Sequence, residues 1–363
     1  MKRKKLFGAL GIICFSMMII ALSVGGAFAA SGVINLKFAN FFPSPAAQSK
    51  ICEEFISELE ARTRGRIKVR YFAGGSLLKP PAMIKGIEKG ITDIGLSHIE
   101  YTPGRFPVME AAEQPLGNPT GWVANQLMTD FYYKFKPKEF DKVKVMWFHA
   151  NSPAMLMTTK PVRKLEDMKG LTIRAPGSTG TVIKALGGTP APTPMPETYD
   201  AIAKNVVQGA FVAGEAAKSW RFGEVVKYIT DSWRVGTSYP FYVAMNKKKY
   251  KKLPPDIKEI FDTLCGEYRD RFALMWNSIE FGGKTFGKSK GVEYIELSGK
   301  ETKRWGKAIE SVIDDYVRRM VSQGFNESEV RGWLKYLEER RDYLIEKQKA
   351  LNIKSATGPP ELR

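Results

Sequence analysis

Histidine and cysteine are scarce in this sequence, with two histidines and three cysteines among 363 residues. Zinc sites in proteins draw most of their ligands from these two residue types at short spacings. His98 and Glu100 match the H-x-E part of a zinc-deaminase signature, but the P-C-x-x-C part is absent. The sequence therefore predicts no metal site.

Motifs of common enzyme classes are missing as well. The chain contains no G-x-S-x-G, no Walker loop and no G-x-G-x-x-G, and its isolated glycine pairs are typical of turns. No internal repeat is present either. Because neither a nucleophile set nor a metal set is found, we do not expect an enzyme.

Acidic residues are few relative to basic ones, 38 against 56. Four of the basic residues lie at positions 2–5, and without them the net charge is about +14 (52 basic against 38 acidic residues). Such a surface attracts nucleic acid, an anionic membrane face or an anionic solute. The lysines are spread, apart from those at 247–249 and 251–252, which favours a solvated surface that mildly steers anions.

A long apolar run occurs once, at the N-terminus. It covers residues 6–24, follows the basic positions 2–5 and precedes the small-residue pattern Ala27-Phe28-Ala29. This order is typical of a secretory signal peptide over residues 1–30, and it predicts an exported protein with no nucleic-acid partner. The run is also long enough for an uncleaved membrane anchor, so that alternative stays open.

About 330 residues remain after this segment, which is more than one compact core holds, so we expect two domains. Strand patterns such as 33–39 and 66–72 alternate with helical patterns, which predicts an α/β fold with parallel-rich sheets. Cys52 and Cys265 could form one disulfide, although their helical, apolar surroundings favour two buried thiols.

One stretch, residues 165–209, contains a strand with a single charge. Residues 172–175 form a short apolar run that is broken by Arg174 and ended by Pro176. The carboxyl end of a strand in an α/β sheet is where such sheets bind ligands. An arginine there can hold a carboxylate with two charge-assisted hydrogen bonds, whereas a surface ion pair is the alternative for a lone arginine.

The same stretch resembles the ligand-binding core of the DctP-type solute receptors of TRAP transporters (tripartite ATP-independent periplasmic transporters). Those proteins share a Lys-Pro step, the pattern Asp-Leu-Lys-Gly-Leu-Lys-Ile-Arg, a proline turn, a Leu-Gly-x-x-Pro step, a Tyr-x-Ala helix and a closing Gly. The matching segments here are 160–161, 167–174, 186–190, 199–201 and Gly209, with further matches at 62–69, 74–77 and 101–107.

Two departures from the family pattern bear on the pocket. Many relatives carry an additional arginine before the strand at 155–159, whereas this chain has Ser-Pro-Ala at 152–154. Relatives also usually show Asp before the closing Gly and Glu-Asn after it, whereas Gln208 precedes Gly209 and Phe-Val-Ala-Gly-Glu follows at 211–215. The first departure puts a second carboxylate clamp in doubt, and the second predicts a different pocket wall.

The resemblance implies the two-domain type II periplasmic-binding-protein fold, with a hinge and an interdomain cleft. Domain I is expected to combine 31–150 with 238–284 and domain II to combine 151–237 with 285–348, while residues 349–363 are expected to form a disordered tail. It further implies a periplasmic, monomeric receptor that needs no cofactor, closes around an organic carboxylate and delivers it to a two-component TRAP permease.

The resemblance assigns the carboxylate salt bridge to Arg174, and we predict a monocarboxylate with an apolar or aromatic body. The other predicted ligand-binding residues are Phe41, Phe42, Tyr101, Trp147, Phe148, Phe211, Glu215, Trp220 and Tyr239. Aromatic residues fill cores as well as pockets, so part of this set could be core. Two alternatives stay open: an exported enzyme of unknown type on the same architecture, and a polyanion-binding surface protein that rests on charge alone.

Overall fold

The computed structural model describes residues 32–363, so the predicted signal peptide lies outside the described residues. The described part contains eleven strands: β1 (Ile34–Asn40), β2 (Ile67–Phe72), β3 (Ile94–His98), β4 (Val143–Ala150), β5 (Met155–Thr158), β6 (Thr172–Arg174), β7 (Thr189–Ala191), β8 (Gly209–Val212), β9 (Tyr228–Asp231), β10 (Pro240–Asn246) and β11 (Glu293–Glu296). Its α-helices are α1 (Ala47–Arg62), α2 (Met83–Lys89), α3 (Gly121–Phe135), α4 (Thr179–Ala185), α5 (Met195–Ala203), α6 (Ala216–Ser219), α7 (Lys247–Lys251), α8 (Pro255–Ser289), α9 (Gly299–Ser322) and α10 (Glu327–Ala350).

The strands form two sheets, each of which is the centre of one domain. The sheet of the first domain has the order β2-β1-β3-β10-β4, with β10 antiparallel to both of its neighbours. The sheet of the second domain has the order β11-β9-β5-β8-β6-β7, with β5 antiparallel to both of its neighbours. The remaining pairs are parallel, as expected where helices connect strands of one sheet. The chain therefore has the mixed α/β character that the sequence predicted.

The chain passes from the first sheet to the second after β4 and returns before β10. These two connections lie side by side, because the backbone N–H of Tyr239 donates to Asn151 Oδ1 (2.5 Å) and that of Ala154 donates to the carbonyl of Thr237 (2.9 Å). Paired connections of this kind let two domains rotate as rigid bodies. We propose that the domain boundaries lie here, near residues 150 and 238.

Apolar side chains cover both faces of the first sheet. On β4, Trp147 packs against Phe55 of α1 (5.2 Å between ring centroids) and Phe272 of α8 (5.6 Å). Its neighbour Phe148 points to the opposite face, where it packs against Phe140 (5.1 Å). Since successive side chains of a strand alternate between faces, two adjacent aromatic residues are buried in two different layers.

Helices α9 and α10 connect the two domains, and α10 packs on a different domain from the one predicted for it. The apolar stripe of α9 is buried, with Trp305 in the core of the second domain and Tyr316 in that of the first. Helix α10 packs on α3 of the first domain, where Arg340 pairs with Asp130 at 2.6 Å. The predicted assignment of residues 285–348 to the second domain therefore does not hold for α10. A sequence stripe shows that a helix face is buried, but not which domain covers it.

Helix α8 is continuous over 35 residues and includes the glycine pair at 282–283, although glycine pairs in this sequence were expected to lie in turns. A Cβ on Gly283 would lie 2.5 Å from the carbonyl oxygen of Gly214 and from Cα of Glu215. Glycine is needed at position 283 because it lets the helix approach the backbone of the second domain this closely.

The predicted disordered tail is instead ordered and packed. Leu362 is buried, the hydroxyl of Thr357 donates to the carbonyl of Pro119 (3.0 Å), and Arg363 pairs with Asp231 (3.0 Å). Gly358 has φ +89°, which lets the chain turn against Pro119. The composition of the tail predicted disorder, but its polar groups find fixed partners in both domains.

Cys52 and Cys265 are both free and buried, which favours the two-thiol alternative. Burial raises the pKa of both thiols. Between residues 32 and 363, none of the helices combines the length and apolar character needed to cross a membrane.

Candidate ligand-binding site

Arg174 ends strand β6 and is 3% exposed. Its Nε–H donates to the carbonyl of Thr193 (2.8 Å), and Nη2 donates to the hydroxyl of Tyr101 (3.3 Å). Both partners are neutral, and no salt bridge within residues 32–363 includes Arg174. A surface ion pair, the alternative for a lone arginine, is therefore not what the structure shows.

A buried guanidinium without a carboxylate partner is electrostatically costly, because a charge loses its hydration on burial. The two protein contacts hold the Arg174 plane at one edge and leave its remaining N–H groups for a ligand. Tyr101 comes from the first domain, and its hydroxyl also accepts the backbone N–H of Met195 in the second (3.2 Å). Arg174 thus lies where the two domains meet, and an anion bound there would contact both.

A cavity lies beside this guanidinium. Its volume is ≈ 30 Å³, and it adjoins a groove of ≈ 1150 Å³ between the domains. Phe41, Glu215 and Trp220 line both spaces and so form the wall between them. Since a single water needs about 10–15 Å³ by a comparable measure, a larger ligand can enter only after the two domains separate, and they would then close around it.

Seven of the ten predicted residues surround this cavity, and they come from both domains. They are Phe41, Phe42, Tyr101, Arg174, Glu215, Trp220 and Tyr239. Phe41 and Phe42 are stacked at 4.3 Å between ring centroids, and Phe41 faces Trp220 of the second domain at 6.4 Å with an interplanar angle of 20°. Nearly parallel rings on opposite domains suit a flat apolar body between them.

The other three predicted residues do not line the cavity. Trp147 and Phe148 lie in the two core layers of the first domain described above. Phe211 lies in the core of the second domain, and its neighbour Val212 on β8 faces the cavity instead. Only the backbone carbonyl of Phe211 reaches toward the site, where it accepts the Tyr239 hydroxyl.

Sequence reasoning missed half of the cavity lining. The missed residues are His98, Asn151, Met195, Val212, Ala213, Phe241 and Trp276. His98 is the last residue of β3 and pairs in register with Phe241, so the strand-end rule that selected Arg174 would also have selected His98. Trp276 carries no such signal, because it lies within a long amphipathic helix.

His98 contributes a neutral donor to the site. Its Nδ1 accepts the backbone N–H of Glu100 (3.0 Å), so the proton of the neutral ring is on Nε2. Burial, together with the charge of Arg174, holds the pKa of His98 well below its ordinary value. Arg174 is therefore the only cationic side chain lining the cavity within the described residues.

Two buried carboxyl groups lie on this side of the cavity, with Glu215 in its wall and Glu280 of α8 behind Glu215. Burial raises the pKa of Glu215 to about 7, while burial and the nearby Glu215 raise that of Glu280 to about 8. Glu280 Oε1 accepts the backbone N–H of Glu215 (3.2 Å), and the Glu215 carboxyl contacts the hydroxyl of Ser219. Below neutral pH both acids are largely protonated, so the wall adds little negative charge near Arg174.

These raised pKa values predict a loss of stability at alkaline pH. Unfolded glutamate ionises near about 4.3, whereas folded Glu280 holds its proton to about 8. The stabilising contribution is complete below the unfolded pKa and is lost as pH rises toward the folded one. We expect the melting temperature to fall between pH 5 and 9, and to fall less in Glu280→Gln. Exposed Glu310→Gln is the control, and equal pH dependence in both variants would contradict the assignment.

Comparison with known proteins places these observations in a family. The family model DctP, described as bacterial extracellular solute-binding protein family 7, matches residues 38–319. A solute-binding protein of Albidiferax ferrireducens is 25% identical over 324 residues, which are 84% of this chain and 91% of the relative.

Solved structures of similar proteins support the same family. A TRAP periplasmic solute-binding protein from Desulfovibrio salexigens is 31% identical with a TM-score of 0.73, over 84% of this chain and 95% of that one. A marine metagenome TRAP solute-binding protein specific for aromatic acid ligands, in complex with metahydroxyphenylacetate, is 26% identical with a TM-score of 0.80, over 85% and 99% of the two chains. These similarities confirm the predicted two-domain α/β fold.

Members of this family are substrate-binding receptors rather than enzymes. They are periplasmic, bind small organic acids and work with TRAP permeases. The matched region covers most of the chain and includes both sheets and Arg174. The chain therefore belongs to the bacterial extracellular solute-binding proteins of family 7, the DctP-type receptors of TRAP transporters.

Proposed function

We propose that this protein is a periplasmic TRAP receptor for an organic monocarboxylate with an aromatic or apolar body. Arg174 would bind the carboxylate by a salt bridge, and the closed receptor would deliver the solute to the membrane permease. The observation that carries the proposal is the buried Arg174 guanidinium, which has only neutral protein partners and faces a cavity walled by aromatic rings.

The single cation of the cavity favours one carboxylate over two. A second ligand carboxylate would lose its hydration with no cation to pair with, which is costly in a buried site. The loop at 152–154, where many relatives carry an additional arginine, contributes no cation to the lining here. The aromatic-acid specificity of the marine metagenome relative supports the same class of ligand.

The aromatic rings make a second favourable contribution to the free energy of ligand binding, similar in size to that of the salt bridge. Removing about 150 Å² of apolar ligand surface from water is worth about 4 kcal/mol before the entropic costs of binding. Phe41 of the first domain and Trp220 of the second face the cavity from opposite sides. Both contributions are complete only when the domains close, so binding and closure are coupled.

A ligand screen with two readouts tests this proposal. Benzoate, 3-hydroxyphenylacetate and succinate are added separately, and the melting temperature and the radius of gyration from small-angle scattering are measured. We expect an aromatic acid to raise the melting temperature, reduce the radius of gyration and remain chemically unchanged.

Several outcomes would contradict the proposal. Tight binding of succinate with no affinity for aromatic acids would overturn the ligand class. An unchanged scattering profile at saturating ligand would argue against a closing receptor. Turnover of the added acid would indicate an exported enzyme, and salt-sensitive heparin retention without any small ligand would indicate a polyanion-binding protein.

A further inference from the structure

Two buried carboxyl groups of the first domain meet one hydroxyl of the second. Glu100 lies in the short turn Ile99–Tyr101 after β3, and Glu113 ends the turn Met109–Glu113. Ser178 lies between β6 and α4, four positions after Arg174. Its Oγ is 2.6 Å from Glu100 Oε1 and 3.0 Å from Glu113 Oε2. This contact crosses the domain boundary close to the guanidinium.

The contacts of Ser178 fit an arrangement in which one of the two acids is protonated. The Ser178 hydroxyl has one hydrogen, so it can donate to only one of the two oxygens beside it. Glu100 Oε1 also accepts the backbone N–H of Thr179 (3.2 Å), which makes Glu100 the acceptor of the chain. The proton is then on Glu113, whose carboxyl lies within hydrogen-bond reach of both Ser178 Oγ and the Glu100 carboxyl, while the Ser178 hydroxyl donates to Glu100.

Within the described residues, this pair forms no ion pair with a cationic side chain. Within residues 32–363 neither Glu100 nor Glu113 takes part in a salt bridge, and Arg319 of α9 is paired with Glu110. The titratable groups facing the pair from all packed elements are Glu110, Arg319, His98, Tyr101, Arg174 and Tyr239. Burial raises the pKa of Glu100 to about 7, and burial with the charge of Glu100 raises that of Glu113 well above its ordinary range.

The backbone of Gly177 approaches the Glu100 side chain closely across the domain boundary. Gly177 has φ +54°, and a Cβ there would lie 2.6 Å from Glu100 Cδ and 2.8 Å from its Oε1. Any other residue at position 177 would push the loop of the second domain away from Glu100. A groove of ≈ 510 Å³ lined by Glu100, Gly177 and Ser178 gives water and protons access to the cluster.

We propose that Glu113, Ser178 and Glu100 form a proton-binding site that holds the two domains closed. Closure brings the Ser178 hydroxyl between the two carboxyl groups and traps one proton on Glu113, and loss of that proton separates the domains. The inference rests on the proposed receptor function, because the closure that it regulates is the closure over the Arg174 cavity.

The direction of the pH effect follows from linkage. With the domains apart, residues 177–179 no longer cover Glu100 and water reaches it, so the pKa of the pair falls toward the ordinary glutamate value of about 4.3. The closed form keeps a proton to higher pH, so closing takes up a proton between these limits. Acidification from pH 9 to 5.5 therefore favours the closed form.

Small-angle scattering of the purified, ligand-free protein between pH 5.5 and 9 tests the site. We expect the wild-type radius of gyration to increase with pH. Glu113→Gln should stay closed throughout, because its amide donates to Ser178 at every pH. Ser178→Ala and Gly177→Ala should both be more open than wild type at pH 5.5.

A matched control is Glu139→Gln. Glu139 is a carboxyl whose pKa is raised by burial to about 7, and it accepts only the N–H groups of Val108 and Met109 in its own domain. This variant should follow the wild-type curve. A radius of gyration that does not change with pH in wild type, or a Glu113→Gln curve that matches it, would overturn the proposal.

A binding measurement separates this proposal from the proposed function. With benzoate as the probe, the wild-type Kd should rise between pH 5.5 and 9 by at most about tenfold per pH unit, since one proton is linked to closure. Glu113→Gln should show a smaller rise, which would leave only the contribution of other groups such as Glu215. If no acid binds to either protein while the scattering results hold, the ligand assignment fails and the proton site stands.

Discussion

Replacement of Arg174 by alanine is expected to weaken binding of an aromatic carboxylate by roughly 30-fold to several thousand-fold. This range corresponds to about 2–5 kcal/mol, the typical cost of removing one partner of a buried ion pair. We expect a large loss of affinity because, within the described residues, no other cationic side chain lines the cavity and could pair with the carboxylate. Isothermal titration calorimetry with the best acid from the ligand screen measures the change.

Arg174→Lys and Lys249→Ala complete this experiment. Lysine should recover only part of the affinity, because an ammonium cannot reproduce the planar fork of the guanidinium. Lys249 is partly exposed and pairs with Asp93 at 3.8 Å, so its removal should change affinity by less than about threefold. If Arg174→Ala folds normally and binds within a few-fold of wild type, the carboxylate-clamp mechanism is wrong.

The neighbouring glycines 282 and 283 are expected to respond in opposite directions to alanine. The added Cβ of Gly283→Ala would meet backbone atoms of Gly214 and Glu215 at 2.5 Å, which cannot move as a flexible side chain can. We expect a loss of about 1–3 kcal/mol in the free energy of unfolding. Ligand affinity should fall too, because Glu215 lines the cavity.

Gly282→Ala is the matched control on the same helix. Its Cβ would approach only the flexible side chain of Lys218, at 3.8 Å. Alanine stabilises a helix interior relative to glycine by about 0.5–1 kcal/mol, so this variant should be more stable than wild type. Urea unfolding monitored by circular dichroism measures both variants, and equal destabilisation by the two substitutions would contradict the close-packing argument.

The sequence predicts a structural feature well where that feature depends on a single strand or helix. Arg174 follows an apolar strand and precedes a proline, and a strand end is where an α/β sheet exposes a side chain to a cleft. Ser298 likewise caps α9 in a local Ser-x-x-Glu pattern, with the N–H of Glu301 donating to its hydroxyl at 3.2 Å. Such features depend on residues within a few positions of each other.

Other features depend on which surface an element meets, and sequence alone does not contain this information. Both faces of the first sheet are covered, so hydrophobicity could not separate Trp147 and Phe148 from the residues that line the cavity. The apolar stripe of α10 indicates that one helix face is buried, but the helix that covers it is α3, about 200 positions earlier. No local sequence signal connects Glu100 with Glu113, because Ser178 joins them only in the folded chain.

Helix α8 makes the two domains one unit for unfolding, although they move separately in closure. Its first part, including Phe261 and Phe272, is buried in the core of the first domain, while Gly283 touches the backbone of the second. If either domain unfolds, the other domain loses part of the surface that packs against it. Calorimetric melting should therefore occur as a single cooperative transition. For the same reason residues 151–237 expressed alone would lack part of their core, so this receptor cannot be divided into two independently folding halves.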